Sequence, residues 1–81
     1  MKDRILNIIS QELALPLSEV NADLGYNSTP EWDSVAHMSL ISALEEEFSI
    51  VFENEQIVEM TNINAIEQII LKNVGASIAA E

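Results

Sequence analysis

A serine that could act as a nucleophile or as an attachment point stands at position 34, directly after Asp33. His37 is the one histidine of the chain, and its spacing of three residues from Ser34 puts both side chains near one face of a helix. A serine hydrolase also needs an oxyanion site, and no glycine-rich turn accompanies the pair to supply its backbone donors. Hydrolysis is therefore an alternative that lacks its oxyanion site, and we assign no catalytic residue.

Metal binding is a second chemistry that the acidic residues could support. Asn21, Asp23 and Gly25 resemble the start of a calcium loop, but such a loop has its glycine at position six and a glutamate at position twelve. The glutamates at 45–47 are consecutive, so a helix would point them in different directions. We predict no metal site.

A third interpretation makes Ser34 the first residue of a helix. Asp33 is suited to cap that helix, because its carboxylate can accept hydrogen bonds from the free N–H groups of the first turn. A serine hydroxyl at the first helical position faces solvent, and a phosphodiester attached there would meet the positive end of the helix dipole. The Asp33-Ser34 pair is therefore suited to hold a phosphorylated group.

Composition limits the kind of protein that can position these residues. The chain has 81 residues, 48% of them apolar, and no cysteine, so we expect one small domain with a packed core. Fourteen acidic residues against three basic ones give a formal net charge of -11, which repels nucleic acid and favours partners with basic patches. With neither a membrane-spanning apolar run nor a secretory signal in the sequence, we expect a cytoplasmic monomer that does not insert into membranes.

The hydrophobic pattern predicts helices and no sheet. A first helix is expected from about residue 3 to residue 15, before Pro16. A long loop rich in turn residues follows, and it should be pinned to the core by its large apolar side chains. These are Leu17, Val20, Leu24, Tyr26 and Trp32.

The second helix is expected over residues 34–48, a run without glycine or proline. At 100° per residue, an arc about 100° wide should face the core. It contains Leu40, Ile41, Leu44 and Phe48.

Another side of this helix carries apolar residues beside acids, which predicts a surface for docking partner proteins. The docking residues are Val35, Met38, Glu45 and Glu46, with Ser42 between them. We expect His37 to be exposed, one turn beyond Ser34.

The remainder of the chain is predicted as a buried connection, a short helix and a last helix. The short helix covers about residues 54–60, with Ile57, Val58 and Met60 facing inward. Asn62 or Asn64 can cap the last helix, which should run to about residue 73 and leave a frayed tail over 74–81.

Several short motifs together resemble acyl carrier proteins. Asp33-Ser34-Val35, followed by the segment 43–48, is similar to the family's second helix, in which Asp-Ser-Leu precedes an acidic stretch that ends in phenylalanine. The segments 23–25 and 61–63 also look like family motifs, so the likeness extends from the first helix to about residue 73. The resemblance implies an all-α four-helix bundle with a long loop between the first two helices and a short third helix.

The resemblance also implies a function. A phosphopantetheinyl transferase would attach 4′-phosphopantetheine from coenzyme A to Ser34, with Asp33 as part of the motif. The thiol of this arm would hold acyl or aminoacyl groups as thioesters and present them to loading ligases, acyltransferases and synthases with basic docking patches. The chain would then be a single non-catalytic carrier domain over residues 1–81, with its helical core at about 3–73.

The sequence departs from the family's pattern at three points. The loop between Gly25 and Ser34 is longer than in typical fatty acid carriers, and Ala36, His37 and Ser39 replace acids early in the second helix. Trp-Asp-Ser is similar to stand-alone carriers of secondary or cell-surface metabolism. We therefore favour a specialised biosynthetic pathway, with a housekeeping carrier of fatty acid synthesis and an unmodified carrier-like interaction domain as alternatives.

Overall fold

The segments with helical periodicity form helices, and segments rich in turn residues connect them. A computed structural model describes the backbone of residues 2–79 and the side chains of residues 2–75. The helices are α1 (Lys2–Leu13), α2 (Ser34–Phe48), α3 (Asn54–Glu59) and α4 (Ile63–Ala79), and a 3-10 turn (Leu17–Glu19) lies in the first connection. The predicted all-α fold, with its long first loop and short third helix, is confirmed.

The core lies between the helices and takes buried side chains from α1, α2 and α4, from the long loop and from Phe52 and Met60 on either side of α3. Burying a large apolar side chain contributes roughly 1.5–3 kcal/mol, so the buried apolar side chains supply most of the stabilisation of the fold. The most completely buried of these side chains are Ile5, Ile9, Trp32, Leu40, Leu44, Met60, Ile66 and Ile70.

Both long helices before α3 end with a non-glycine residue in the left-handed conformation. Ala14 (φ 54°) follows α1 and Ser49 (φ 55°) follows α2. In each case the next residue donates its N–H to a carbonyl five residues back, Leu15 to Ser10 and Ile50 to Glu45, which closes the last turn. The first helix therefore ends at Leu13, two residues earlier than predicted, while α2 has the predicted bounds.

Predicted burial is wrong at several apolar positions. Leu17 is exposed while Val20, Leu24 and Trp32 of the same loop are buried. Phe48 is only half-buried, and the Arg4 guanidinium lies over its ring at 4.7 Å from the centroid. Val51 and Val58 are largely exposed, since the connection after α2 buries only Phe52 fully and α3 is too short to bury more than one side of a turn.

The last helix is longer than predicted and continues through Gly75. Its start is capped as expected, because Asn62 Oδ1 accepts a hydrogen bond from the Ala65 N–H at 2.8 Å. Gly75 has no positive φ, so it acts as an ordinary helical residue, and the alanine-rich stretch after it favours helix. The helical backbone extends over 74–79, within the segment 74–81 for which fraying is predicted, and residues 80 and 81 lie outside the described residues. None of the helices in the described part of the chain is long and apolar enough to cross a membrane.

Candidate functional site

Ser34 lies where the sequence places it, as the first residue of α2. Asp33 precedes it in an extended conformation, and its Oδ1 accepts a hydrogen bond from the Ala36 N–H at 2.9 Å. The Asp33 carbonyl accepts the first bond of the helix, from the His37 N–H at 2.8 Å. The Ser34 side chain is exposed, so its hydroxyl is accessible to a modifying enzyme.

The Ser34 hydroxyl has a partner that the sequence did not indicate. Its Oγ lies 2.9 Å from the hydroxyl oxygen of Tyr26, in the long loop. Tyr26 is in turn held by its own backbone, because its N–H donates to the Thr61 carbonyl at 2.8 Å. A tyrosine alone in a loop carries no pattern that points to Ser34, so only the folded loop reveals this contact.

A glycine brings the Tyr26 segment close to the start of α4. Gly25 and Asn62 form an isolated antiparallel bridge. A Cβ at position 25 would lie 3.1 Å from the Thr61 carbonyl oxygen, which is tighter than ordinary van der Waals contact. Gly25 therefore allows the close approach that fixes the loop one residue before Tyr26.

His37 is buried, and the expectation that it would be exposed is wrong. The Trp32 Nε1–H donates to His37 Nδ1 at 3.0 Å, and His37 Nε2 lies 2.9 Å from the Ile57 carbonyl. Because the indole nitrogen can only donate, Nδ1 must accept and Nε2 must carry the proton given to Ile57. The ring thus joins the long loop to α2 and α3.

The burial of His37 agrees with its position on the helical wheel of α2. Position 37 precedes Leu40 by three residues and Ile41 by four, so it falls inside the arc that those residues define on α2. Histidine is intermediate in burial as a residue type, so the polar nitrogens of His37 gave no reason to assign it to the core face of α2. A buried Trp32 also needs an acceptor for its indole N–H, and this requirement is a second indication that a polar side chain such as His37 lies in the core.

The arrangement gives Ser34 no catalytic base from His37. Both His37 nitrogens are committed to Trp32 and Ile57, and the hydroxyl of Ser34 faces Tyr26 instead of the imidazole. No Ser34–His37 dyad exists. Among the described residues no group of three or more acidic, histidine or cysteine side chains could hold a metal ion.

The predicted docking residues differ in their surroundings. Val35 and Met38 are 77% and 53% exposed, and Glu46 is exposed on the same helix. Glu45 is half-buried, and its Oε2 accepts from the Phe52 N–H at 2.9 Å, so it stabilises the connection after α2. Glu47 is paired with Arg4 at 2.7 Å, the one ion pair found among the side chains of residues 2–75.

The loop before Ser34 contains one carboxyl group with a shifted pKa. The Thr29 hydroxyl donates to Glu31, and this bond, with a lesser contribution from the Glu31 backbone N–H, holds the pKa of Glu31 below 4.5. The side chain is fully exposed, so the shift reports local loop geometry. The Asn27 N–H donates a hydrogen bond to the Trp32 carbonyl at 2.9 Å, and this bond closes the same loop.

The surroundings of Ser34 fit a covalently attached phosphodiester. The hydroxyl is exposed, the helix behind it has 15 residues, and the first turn presents the positive end of the helix dipole. A family model described as a phosphopantetheine attachment site matches residues 3–70 of the chain. This range includes Asp33, Ser34 and Tyr26 and extends from α1 into α4.

Proposed function

Because this chain belongs to the family of phosphopantetheine attachment-site domains, we propose that Ser34 is the residue to which its arm is attached. The domain is a carrier that holds 4′-phosphopantetheine covalently. The observation that carries the proposal is the placement of Ser34, an exposed hydroxyl at the first position of α2, directly after the capping Asp33. The N–H groups and dipole of that first turn favour a negative group there.

The arm supplies a terminal thiol, which this chain lacks because it has no cysteine. The proposed function is to hold acyl or aminoacyl groups on that thiol as thioesters and to present them to successive enzymes. Carrier domains of this family are generally non-catalytic. A carrier role is consistent with the commitment of both His37 nitrogens to structural hydrogen bonds.

The docking surface that we propose consists of Val35, Met38 and Glu46. Two exposed apolar side chains near the start of α2, with an exposed carboxylate about 12 Å further along the same helix, suit a partner with an apolar patch next to basic residues. Glu45 is a weaker candidate, because its carboxylate already accepts from the Phe52 N–H. The proposed partners are a phosphopantetheinyl transferase, a loading ligase, and acyltransferases or synthases.

We propose that this single carrier domain serves a specialised biosynthetic pathway in the cytoplasm. Its support is the first half of α2, where the half-buried Ala36 and the exposed Ser39 stand in place of acids, whereas the buried His37 does not contribute to this surface. Rim charges govern the choice of partner, so their loss should weaken recognition by the enzymes of fatty acid synthesis. Elongation on the modified chain by a reconstituted fatty acid synthase, at the rate seen with its own carrier, would contradict this assignment.

Intact mass spectrometry tests the attachment. The chain is incubated with coenzyme A and a broad-specificity transferase, together with Ser34→Ala and the matched control Ser42→Ala, which removes an exposed hydroxyl from the same helix. We expect one phosphopantetheine on the native chain and on Ser42→Ala, and none on Ser34→Ala. An unmodified native chain would favour the interaction-domain alternative, and a modified Ser34→Ala would place the arm elsewhere.

A further inference from the structure

We propose that Tyr26 is a positioning residue for the prosthetic arm. In the unmodified chain its hydroxyl fixes the orientation of Ser34 Oγ, 2.9 Å away, and after attachment it donates a hydrogen bond to the phosphodiester. The proposal rests on the attachment at Ser34 argued above. It assigns a function to a loop residue eight positions before the serine, outside the Asp-Ser motif.

Both members of the pair are held in place by contacts that do not involve each other. Tyr26 is fixed through its backbone N–H to Thr61 at 2.8 Å and through the bridge next to it between Gly25 and Asn62. Ser34 is fixed by the capped first turn of α2. The contact between their hydroxyls is therefore built by two rigid parts of the fold, and little conformational entropy is lost in forming it.

The Tyr26 ring also packs against the ring of His37. Its centroid lies 5.2 Å from that of His37, with the planes tilted by 51°. His37 in turn is held by Trp32 and by the Ile57 carbonyl. The buried His37 thus supports the tyrosine that contacts Ser34. His37 takes no direct part in the transfer of the arm, but through Tyr26 it helps to position the attachment site.

After attachment only one of the two oxygens still carries a proton, and this determines which residue donates the hydrogen bond. Transfer forms a bond between Ser34 Oγ and the pantetheine-bearing phosphorus of coenzyme A and breaks the anhydride bond of its pyrophosphate. The Ser34 proton goes to a base of the transferase, and adenosine 3′,5′-bisphosphate leaves with the electron pair of the broken bond. Oγ then carries no proton, so in the modified chain Tyr26 must be the donor of the pair.

Before transfer either hydroxyl can donate, and both arrangements restrict the Ser34 side chain to the rotamer that meets Tyr26. A nucleophile held in one orientation reaches the attacking geometry more often than a freely rotating one. Removing the phenol oxygen should therefore slow the chemical step and leave binding of the carrier to the transferase nearly unchanged.

Transferase kinetics with Tyr26→Phe test the first half of the proposal. This substitution keeps the ring that packs on His37 and removes only the hydroxyl. We expect kcat to fall by roughly three- to tenfold, the effect of one hydrogen bond, with KM for the carrier changed less than about twofold. Thr29→Val is the matched control, because it removes a hydroxyl that bonds Glu31 in the same loop and should leave both constants unchanged.

Phosphorus NMR of the modified proteins tests the second half. The resonance of the phosphodiester should move by more than its linewidth between the native chain and Tyr26→Phe, and should not move in Thr29→Val. Native kcat together with a native phosphorus resonance in Tyr26→Phe would overturn the proposal, even though attachment at Ser34 would stand. Failure of the native chain to be modified would instead remove the attachment and this inference together.

A measurement on the native chain covers the case in which Tyr26→Phe does not fold. Tyr26 is the one tyrosine of the sequence, so its Cζ resonance is unambiguous. We expect this resonance to shift on attachment of the arm, because its hydroxyl exchanges a serine partner for a phosphodiester. An unchanged Cζ shift would overturn the proposal.

Discussion

Replacing His37 with alanine should destabilise the domain much more than a substitution on the exposed side of α2. The imidazole joins three parts of the chain, since it accepts from the Trp32 indole N–H at 3.0 Å and donates to the Ile57 carbonyl at 2.9 Å. Trp32 is fully inaccessible to solvent, so water cannot replace the imidazole as the partner of its N–H.

The loss of stability in His37→Ala depends on which hydrogen bonds remain for Trp32 and Ile57. The Ile57 carbonyl still accepts from the Met60 N–H at 3.3 Å, so its loss is one hydrogen bond, about 1 kcal/mol. The Trp32 N–H becomes a buried donor without an acceptor, at roughly 2 kcal/mol. The sum is about 3 kcal/mol before any loss of packing, which corresponds to a fall in melting temperature of at least about 12 °C for a domain of this size.

Urea unfolding followed by helical circular dichroism measures this free energy. Ser39→Ala, an exposed position on the same helix, is the matched control and should stay within about 0.5 kcal/mol of the native chain. In a Trp32→Phe background the orphaned donor is absent, so His37→Ala should destabilise by roughly 1–2 kcal/mol less. A loss below about 1 kcal/mol for His37→Ala, or no coupling in this double-mutant cycle, would refute the reasoning.

Three further predictions concern the surface. Met38→Glu should leave helical circular dichroism and melting temperature nearly unchanged, because Met38 is 53% exposed, and should slow modification by the transferase; lost stability with native kinetics would contradict its docking role. Sodium chloride should raise the melting temperature, because the acidic side chains behind the net charge of -11 repel one another and salt screens that repulsion over roughly 8–10 Å. A melting temperature insensitive to salt would exclude charge repulsion as a destabilising effect. Thr29→Val should raise the pKa of Glu31 towards 4.5 in a carbon-13 NMR titration, and an unchanged pKa would show that the Thr29 hydroxyl is not its cause. Because folding lowers this pKa, the bond stabilises the fold above about pH 4.5 and is lost as the pH falls through the lowered value.

The elements that depend on local sequence were predictable. The second helix has the predicted bounds because Asp33 caps it and no glycine or proline interrupts the run to Phe48. Asn62 caps α4 for the same local reason. The end of α4 was not predictable from Gly75, since a glycine ends a helix only where the chain takes a left-handed turn, and here it does not.

The burial of polar and apolar side chains in the connections depends on tertiary contacts. Val58 has the residue type of a core position but lies on the solvent side of a short helix. His37 and Trp32 satisfy one another only because the long loop folds back over α2. The contact between Tyr26 and Ser34 depends on the same loop, so the motif indicated the serine and the fold added its partner.

Fragment-ion mapping of the modified chain tests the central claim most directly. The native protein is treated with coenzyme A and a broad-specificity transferase, digested, and the peptide that contains Asp33 and Ser34 is sequenced by tandem mass spectrometry. We expect one phosphopantetheine, located on Ser34. An arm located on any other residue, or a chain that remains unmodified under conditions that fully modify a known carrier, would contradict it.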